Sequence, residues 1–463
     1  MKHSIGYYST NRNLTGSATI TPYRGTVSFS EALLQGQAPD EGLFVPDRIP
    51  RIAYDDIFAL KGRPYVDAAL LVGGAFLEGE VDRDILQGIV TDSYPFPVPL
   101  EAVTGRKYVM RLDQGPTASF KDFAARMMAR LMSHFRPPGE RLNVLVATSG
   151  DTGSAVGEAF KGVVGIAVTI LYPRGEVSGR QKKQLDTIGD NVQALSVEGK
   201  FDDCQDLVKE AFADPSLAHL NFTSANSINF GRILPQMVYY VYAYAQLCEY
   251  GEEVVVSVPS GNFGDALGCE YARRLGLPVK KLVMPTNEND EFPRFLAAGR
   301  YEKVSPSRAC LSNAMNVGHP SNLARFFELY GGTVDRTGIV HRNPDIGAMR
   351  KNIYSVSISD EVTRQCIRET YDTYGVILEP HGAVGWRGLE IYLEETGDFP
   401  FCVSLETAHP AKFPDEIIEL IGITPQLPDS MKDIDQREGE PIELPGDYEG
   451  FRAYLRDNLR QSD

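Results

Sequence analysis

From about residue 105 the chain repeats one pattern: a short apolar run, a turn of small residues, then a stretch with helical spacing. Residues 142–147 (Leu-Asn-Val-Leu-Val-Ala) form the first run, residues 163–171 the second, ending at Tyr172 and Pro173, and residues 192–197 the third. Residues 253–258 form a β-branched run followed by a Gly-rich turn and a helix expected over 266–275; residues 281–284 predict the next strand. Runs that are apolar throughout indicate strands buried on both faces, and strands alternating with helices indicate parallel sheets. In such sheets ligands bind beyond the carboxyl ends of the strands. The residues that follow each strand are therefore the candidates for chemistry.

The chain before residue 95 differs. It mixes short apolar runs with turn signals such as Ala38-Pro39-Asp40 and Val45-Pro46-Asp47, and reads as a small α+β lead-in ending at a linker, Ser93-Tyr94-Pro95-Phe96-Pro97. The expected organisation is an N-terminal domain over 1–95, a central α/β domain over 96–235, a larger α/β domain over 236–425 and a tail over 426–463. This last segment is acidic and Pro-rich, with a helical stretch near 451–459, and reads as either a tail or a packed flap. The fold class is α/β, with two domains built on parallel sheets.

Composition narrows the function. A chain of 463 residues exceeds one ordinary core. A net charge of -16 argues against nucleic acid or an anionic membrane as partner, since both need basic surface. It does not argue against a small anionic substrate, because a pocket can be locally positive. The first residues lack an apolar signal core, and no run of 18 apolar residues is present, so a cytoplasmic protein is expected. The six cysteines (Cys204, Cys248, Cys269, Cys310, Cys366, Cys402) form no CxxC pair and read as reduced thiols. The seven histidines show no metal-binding spacing, and no metal is expected.

Four segments carry candidate chemistry. Residues 259–265 (Pro-Ser-Gly-Asn-Phe-Gly-Asp) lie between a strand and a helix, where glycines and a helix N-terminus suit a phosphate; a tight βα turn is the plain alternative. Residues 147–154 (Ala-Thr-Ser-Gly-Asp-Thr-Gly-Ser) could wrap a carboxylate with hydroxyls and amides, or simply cap a helix. In residues 115–126 the Pro and hydroxyls predict a helix start with Lys121 in its first turn. A cation there opposes the helix dipole, which lowers a lysine pKa and suits a Schiff-base amine; an exposed lysine is the alternative. Residues 226–232 (Asn-Ser-Ile-Asn-Phe-Gly-Arg) offer an arginine fork for phosphate or carboxylate, or a solvated loop with a surface ion pair.

In order, these segments resemble the threonine synthase family within the β-type, fold type II pyridoxal-phosphate (PLP) enzymes. Phe201-Asp202-Asp203-Cys204-Gln205 and Thr407-Ala408-His409-Pro410-Ala411-Lys412-Phe413 extend the similarity, and residues 29–46 are similar to the family's N-terminal domain. The resemblance covers residues from about 5 to 420. It implies that Lys121 carries the cofactor and moves protons at Cα and Cβ. The backbone of Gly261, Asn262, Phe263, Gly264 and Asp265 would cradle the cofactor phosphate, and Thr407 would meet the pyridine nitrogen. Thr148, Ser149, Gly150, Asp151 and Thr152 would form the substrate-carboxylate loop. Asp151 is the member least suited to it, because an ionised Asp beside a carboxylate repels it. Ser227, Arg232 and Asn262, with Asn226 nearby, would hold the phosphate of O-phospho-L-homoserine. Residues 311–316 are the expected substrate-closing segment, with no residue assigned. The nearest alternative is another enzyme of the same fold, a serine/threonine dehydratase or a cysteine synthase, whose substrates have no side-chain phosphate and no use for Arg232. A non-catalytic phosphate- or nucleotide-binding protein is the alternative from a different class, and intact Lys121 argues against it.

Overall fold

The structure, a computed structural model, describes residues 4–14 and 20–459. Residues 1–3 and 15–19 of the expected N-terminal domain, and residues 460–463 of the expected tail, lie outside the described residues.

Two parallel sheets organise the molecule. The first has five strands in the order Ile442–Leu444, Val192–Val197, Ile166–Pro173, Leu142–Ala147, Phe222–Ser224, all parallel. Two of its three inner strands, Ile166–Pro173 and Leu142–Ala147, are buried at every position, which is why their sequences are largely apolar. The second has six strands in the order Ile353–Tyr354, Val279–Val283, Val254–Ser257, Phe401–Glu406, Lys107–Arg111, Leu100–Thr104. It is parallel except for the hairpin formed by its last two strands. A three-stranded antiparallel sheet, with Tyr7–Ser9 between Thr26–Val27 and Phe44–Pro46, lies in the N-terminal part. The helices Lys121–Phe135 and Phe230–Leu247 share one apolar core with strands of both parallel sheets.

The strand at 192–197 begins and ends where the pattern predicts. The one expected over 163–171 is Ile166–Pro173, because turns at Gly162 and Gly165, both at positive φ, delay its start. The strands expected over 253–258 and 281–284 are Val254–Ser257 and Val279–Val283. The helix expected over 266–275 is Gly264–Leu275; Phe263, at φ 62°, turns the chain so that helix begins immediately after it.

The sheets do not follow the expected domain boundaries. Strands Leu100–Thr104 and Lys107–Arg111 fall within 96–235 but join the six-stranded sheet, with Lys107–Arg111 parallel to Phe401–Glu406. The boundary at 235/236 falls inside the helix Phe230–Leu247. Residues 426–459 are not a free tail. Strand Ile442–Leu444 extends the five-stranded sheet, and Phe451 and Leu455 of helix Tyr448–Asn458 are buried in that sheet's core with Cys204, Leu207 and Val208. Charge and proline in the connecting turns hide this short strand from composition, whereas the helix is the one expected near 451–459. The linker at 93–97 is likewise packed: Tyr94 stacks edge-on against Tyr65.

Candidate active site

The carboxyl ends of the parallel strands deliver the candidate segments. Leu142–Ala147 leads into residues 148–152, Phe222–Ser224 into 225–232, Val254–Ser257 into 259–265, and Phe401–Glu406 into Thr407.

Lys121 is the first residue of the helix Lys121–Phe135. The loop before it is fixed on both sides. Phe120 N–H donates to the Thr407 carbonyl at 2.9 Å, and His409 N–H to the Ala118 carbonyl at 3.0 Å. Within the loop, the Asp122 carboxylate accepts from the Thr117 amide at 2.9 Å and its hydroxyl at 2.7 Å. Gly115 permits this, since a Cβ there would lie 2.4 Å from Asp122 Oδ2. Burial pushes the Asp122 carboxyl up to about 6. The Lys121 side chain is only 13% exposed, and its Nζ lies 3.7 Å from Asp151 Oδ2. Burial is the largest influence and lowers its pKa; Asp151 opposes this, while Lys412 and Arg232 add to it. The exposed-lysine alternative falls. The lowered pKa is the direction expected from the sequence, and its largest cause is enclosure.

Asp151 opens the helix Asp151–Phe160. Its Oδ1 accepts from Lys412 Nζ at 2.7 Å and from Gln181 Nε2 at 2.8 Å. Burial opposes its ionisation, but Lys412, Lys121 and the hydrogen bonds overcome this and hold it below the usual carboxylate range. Gly150, at φ 130°, brings the backbone against Gln181; a Cβ would lie 2.6 Å from Gln181 Cδ. Ser149 and Thr152 are half-buried. Thr148 is turned to structure: its hydroxyl accepts from the Gly150 amide at 3.0 Å and the Gly153 amide at 2.8 Å. The helix-cap reading of this segment accounts for Thr148.

In the Gly-rich turn, a Cβ on Gly261 would lie 2.8 Å from the Ala314 carbonyl and 3.0 Å from Met315 Cα, so the 311–316 segment lies directly against it. That segment is tied down by Ala314 N–H, which donates to His381 Nε2 at 3.1 Å. Asn262 accepts at Oδ1 from Ser321. Phe263 supplies the left-handed turn, and the first amides of helix Gly264–Leu275 have no intrahelical acceptor. The Asp265 side chain points away from the turn, accepting from the Tyr239 and Tyr240 hydroxyls, and burial pushes its carboxyl up to about 6.

Arg232 lies in the first turn of helix Phe230–Leu247 and is 2% exposed. Its Nη1 donates to the Ala225 carbonyl at 2.8 Å. Its Nε has no partner, and no carboxylate pairs with it among the described residues. Burial pulls its pKa down to about 10. The surface-ion-pair alternative is overturned, because the helix packs this guanidinium inside. Ser227, half-buried, is held by its carbonyl, which accepts from Arg325 Nη1 at 3.0 Å and Asn322 Nδ2 at 3.3 Å. Asn226 donates from Nδ2 to the Ala147 carbonyl at 2.9 Å, joining this loop to the strand before Asp151.

Thr407 Oγ1 lies 3.4 Å from Glu379 Oε1. Glu379 caps the helix Pro380–Thr396 and accepts from His381 Nδ1 at 2.5 Å. Glu406 lies behind it, its carboxyl pushed well up by burial and by Glu379. The sequence reading missed Glu379, Glu406, His381, Asn322 and Arg325, and gave Lys412 no role. Lys412 alone left a signal, as a cation inside the apolar segment 407–413.

The arrangement suits a ligand that bonds covalently to an amine and carries a phosphate. Lys121 supplies a buried amine of lowered proton affinity. The glycine turn supplies backbone amides with no Cβ at Gly261 and Gly264, and Arg232 a guanidinium whose Nε is unmet among the described residues. These features define a fold type II PLP-dependent enzyme, and the residues present fit that cofactor. Residues 95–400 match the family model described as pyridoxal-phosphate dependent enzyme, residues 18–94 the threonine synthase N terminus, and residues 382–455 the threonine synthase C-terminal region. The threonine synthase of Haemophilus influenzae is 40% identical over 93% of this chain and 96% of its own length. A solved PLP-bound threonine synthase from Brucella melitensis is similar with a TM-score of 0.88 at 34% identity, over 99% of this chain and 100% of that one. The solved Escherichia coli threonine synthase gives 0.86 at 35% identity, over 98% and 100%. The chain belongs to the threonine synthase family of PLP-dependent lyases.

Proposed function

We propose that this chain converts O-phospho-L-homoserine and water to L-threonine and phosphate, with Lys121 as the cofactor-bearing and proton-moving residue. PLP, when bound, supplies an electron sink for the pair left when the Cα–H bond breaks. The rest falls to the chain's own residues. The amides of Gly261 to Asp265 hold the cofactor phosphate at a helix N-terminus. Thr407 meets the ring nitrogen. Ser149, Gly150 and Thr152 hold the substrate carboxylate, and Thr148 and Asp151 shape that loop from behind. Arg232, Ser227 and Asn262, with Asn226 beside them, bind the substrate phosphate and neutralise it as it leaves Cγ. Lys121 then has a proton to take at Cα and one to deliver or remove at Cβ. The six unpaired cysteines suit a reducing compartment, so a cytoplasmic location is part of the proposal.

The observation that carries this reading is Arg232: a buried guanidinium with no acid partner and an unmet Nε among the described residues asks for an anion, and the side-chain phosphate of O-phospho-L-homoserine is an anion that the dehydratase and cysteine synthase substrates lack. Purified protein with PLP is expected to release phosphate and form L-threonine from O-phospho-L-homoserine in equal amounts. Formation of a 2-oxo acid from L-serine or L-threonine, without turnover of the phosphorylated substrate, would establish the dehydratase alternative instead.

A further inference from the structure

Lys412 closes the 3₁₀ turn Pro410–Lys412 and is 0% exposed. A lysine ammonium is rarely enclosed without a matched partner. Its Nζ donates to Asp151 Oδ1 at 2.7 Å and to the Thr117 carbonyl at 2.9 Å. Thr117 belongs to the loop that delivers Lys121, and Asp151 to the loop expected to receive the substrate carboxylate, so this one ammonium ties the two together. The Asp151 carboxylate is divided. Lys412 and Gln181 occupy Oδ1, while Oδ2 is left toward the Lys121 nitrogen at 3.7 Å. The repulsion that Asp151 threatens in a carboxylate-binding loop is thereby answered, since its charge is cancelled from behind.

We propose that Lys412 is a positioning residue for the reaction: its enclosed ammonium fixes Asp151 beside the Lys121 nitrogen and cancels the charge that Asp151 would otherwise turn on the incoming substrate carboxylate. The inference rests on Lys121 being the cofactor lysine. The charged groups acting on Lys121 are Asp151, Lys412, Arg232 and Glu379, with Asp265 near enough to feel it in turn. Among these, Lys412 and Asp151 act as a coupled pair with opposite signs. Removing Lys412 alone leaves Asp151 bare beside Lys121, so the nitrogen holds its proton more tightly. Removing Asp151 alone leaves Lys412 and Arg232 facing Lys121, so the proton is lost sooner. Removing both offsets the two effects.

The test is a pH titration of the holoenzyme's visible cofactor band, without substrate, in wild type, Lys412→Met, Asp151→Asn and the double variant. Lys412→Met is expected to move the midpoint up by about one pH unit, Asp151→Asn to move it down by a similar amount, and the double variant to return toward wild type. L-serine, added as a phosphate-free amino acid, is expected to bind at least about tenfold more weakly to Lys412→Met and to recover in the double variant. Asp151→Asn is nearly isosteric and keeps the Gln181 contact, so it serves if Lys412→Met does not fold. Single-variant midpoints that stay at the wild-type value, or a double variant whose shift is the larger of the two, overturn the proposal. Lys121→Ala separates the two readings. If it keeps the covalent band, the cofactor-lysine assignment fails. If it loses the band while Lys412→Met and Asp151→Asn leave the titration unmoved, only the role of Lys412 fails.

Discussion

Two arginines are enclosed near the loop at residues 225–232, and they differ in one respect. Arg325 is 0% exposed, and Arg232 is nearly as deep. Burial pulls both down to about 10, and among the described residues neither pairs with a carboxylate. Arg325 is hydrogen-bonded on all sides: Nε to the Phe44 carbonyl at 3.0 Å, Nη1 to the Ser227 carbonyl at 3.0 Å and Asn322 Oδ1 at 2.7 Å, and Nη2 to the Ile228 carbonyl at 2.6 Å. Among the described residues Arg232 has a bond to Ala225 and an Nε with none. Burial of a cation therefore does not by itself mark a ligand site; the unmet Nε is what sets Arg232 apart from Arg325. Arg325 builds the loop, and Arg232 is left for something that binds there.

The largest effect that separates them is on stability. Arg325→Ala strips four acceptors, three of them backbone carbonyls, and is expected to destabilise the fold by about 4 kcal/mol or more, measured by denaturant unfolding of the apoprotein. Arg232→Ala removes a buried charge that has no acid partner, so its apoprotein is expected to be as stable as wild type or more so. Equal losses in the two variants would erase the distinction.

Asp265 extends the comparison to an anion, since its Oδ2 is also without a partner. Its carboxyl is raised from 3.8 to about 6, mainly by burial. A raised carboxyl contributes stability that is complete below its unfolded pKa and lost as pH rises through its folded pKa. Stability should therefore fall between about pH 4 and pH 6, by up to about 3 kcal/mol, and Asp265→Asn should abolish this part of the pH dependence. Denaturant midpoints at pH 4, 5, 6 and 7 measure it; parallel curves for the two proteins would show that Tyr239 and Tyr240 hold the ionised form.

The contrast also explains what could be read from the sequence. Strand 192–197 and the loops after 147 and 257 were legible because an apolar run ending in small polar residues is a local signal. Arg232 was found because its neighbours Asn226 and Ser227 drew attention to it. Arg325 was not, because its acceptors lie at Phe44, Ser227 and Ile228, up to 281 positions away in the chain. The hairpin over 100–111 escaped for the same reason: its partner strand, Phe401–Glu406, is nearly 300 residues distant. Lys412 lay within a segment already singled out, but only the fold shows that its charge meets Asp151. Local pattern thus located the ligand loops, whereas the residues that hold those loops in place are joined by long-range contacts that no local pattern records.

The smallest effect concerns the other end of the site. Thr407 offers one neutral hydroxyl, a contact worth about 1 kcal/mol net, so Thr407→Ala is expected to lower kcat by about fivefold and to shift the cofactor absorbance while PLP stays bound. An unchanged rate and spectrum would mean that another group meets the ring nitrogen.

The central claim, that Arg232 awaits the phosphate of the substrate, is tested most directly by one paired measurement on Arg232→Ala: kcat/KM for O-phospho-L-homoserine beside the affinity for L-serine. A guanidinium fork enclosed against a phosphate gives charge-assisted bonds worth about 1.5–3 kcal/mol each, so kcat/KM is expected to fall by at least about 100-fold, with Arg232→Lys recovering only part of the loss. L-serine affinity is expected to stay at the wild-type value. Equal damage to the phosphorylated and the phosphate-free ligand would contradict the account and make Arg232, like Arg325, part of the framework.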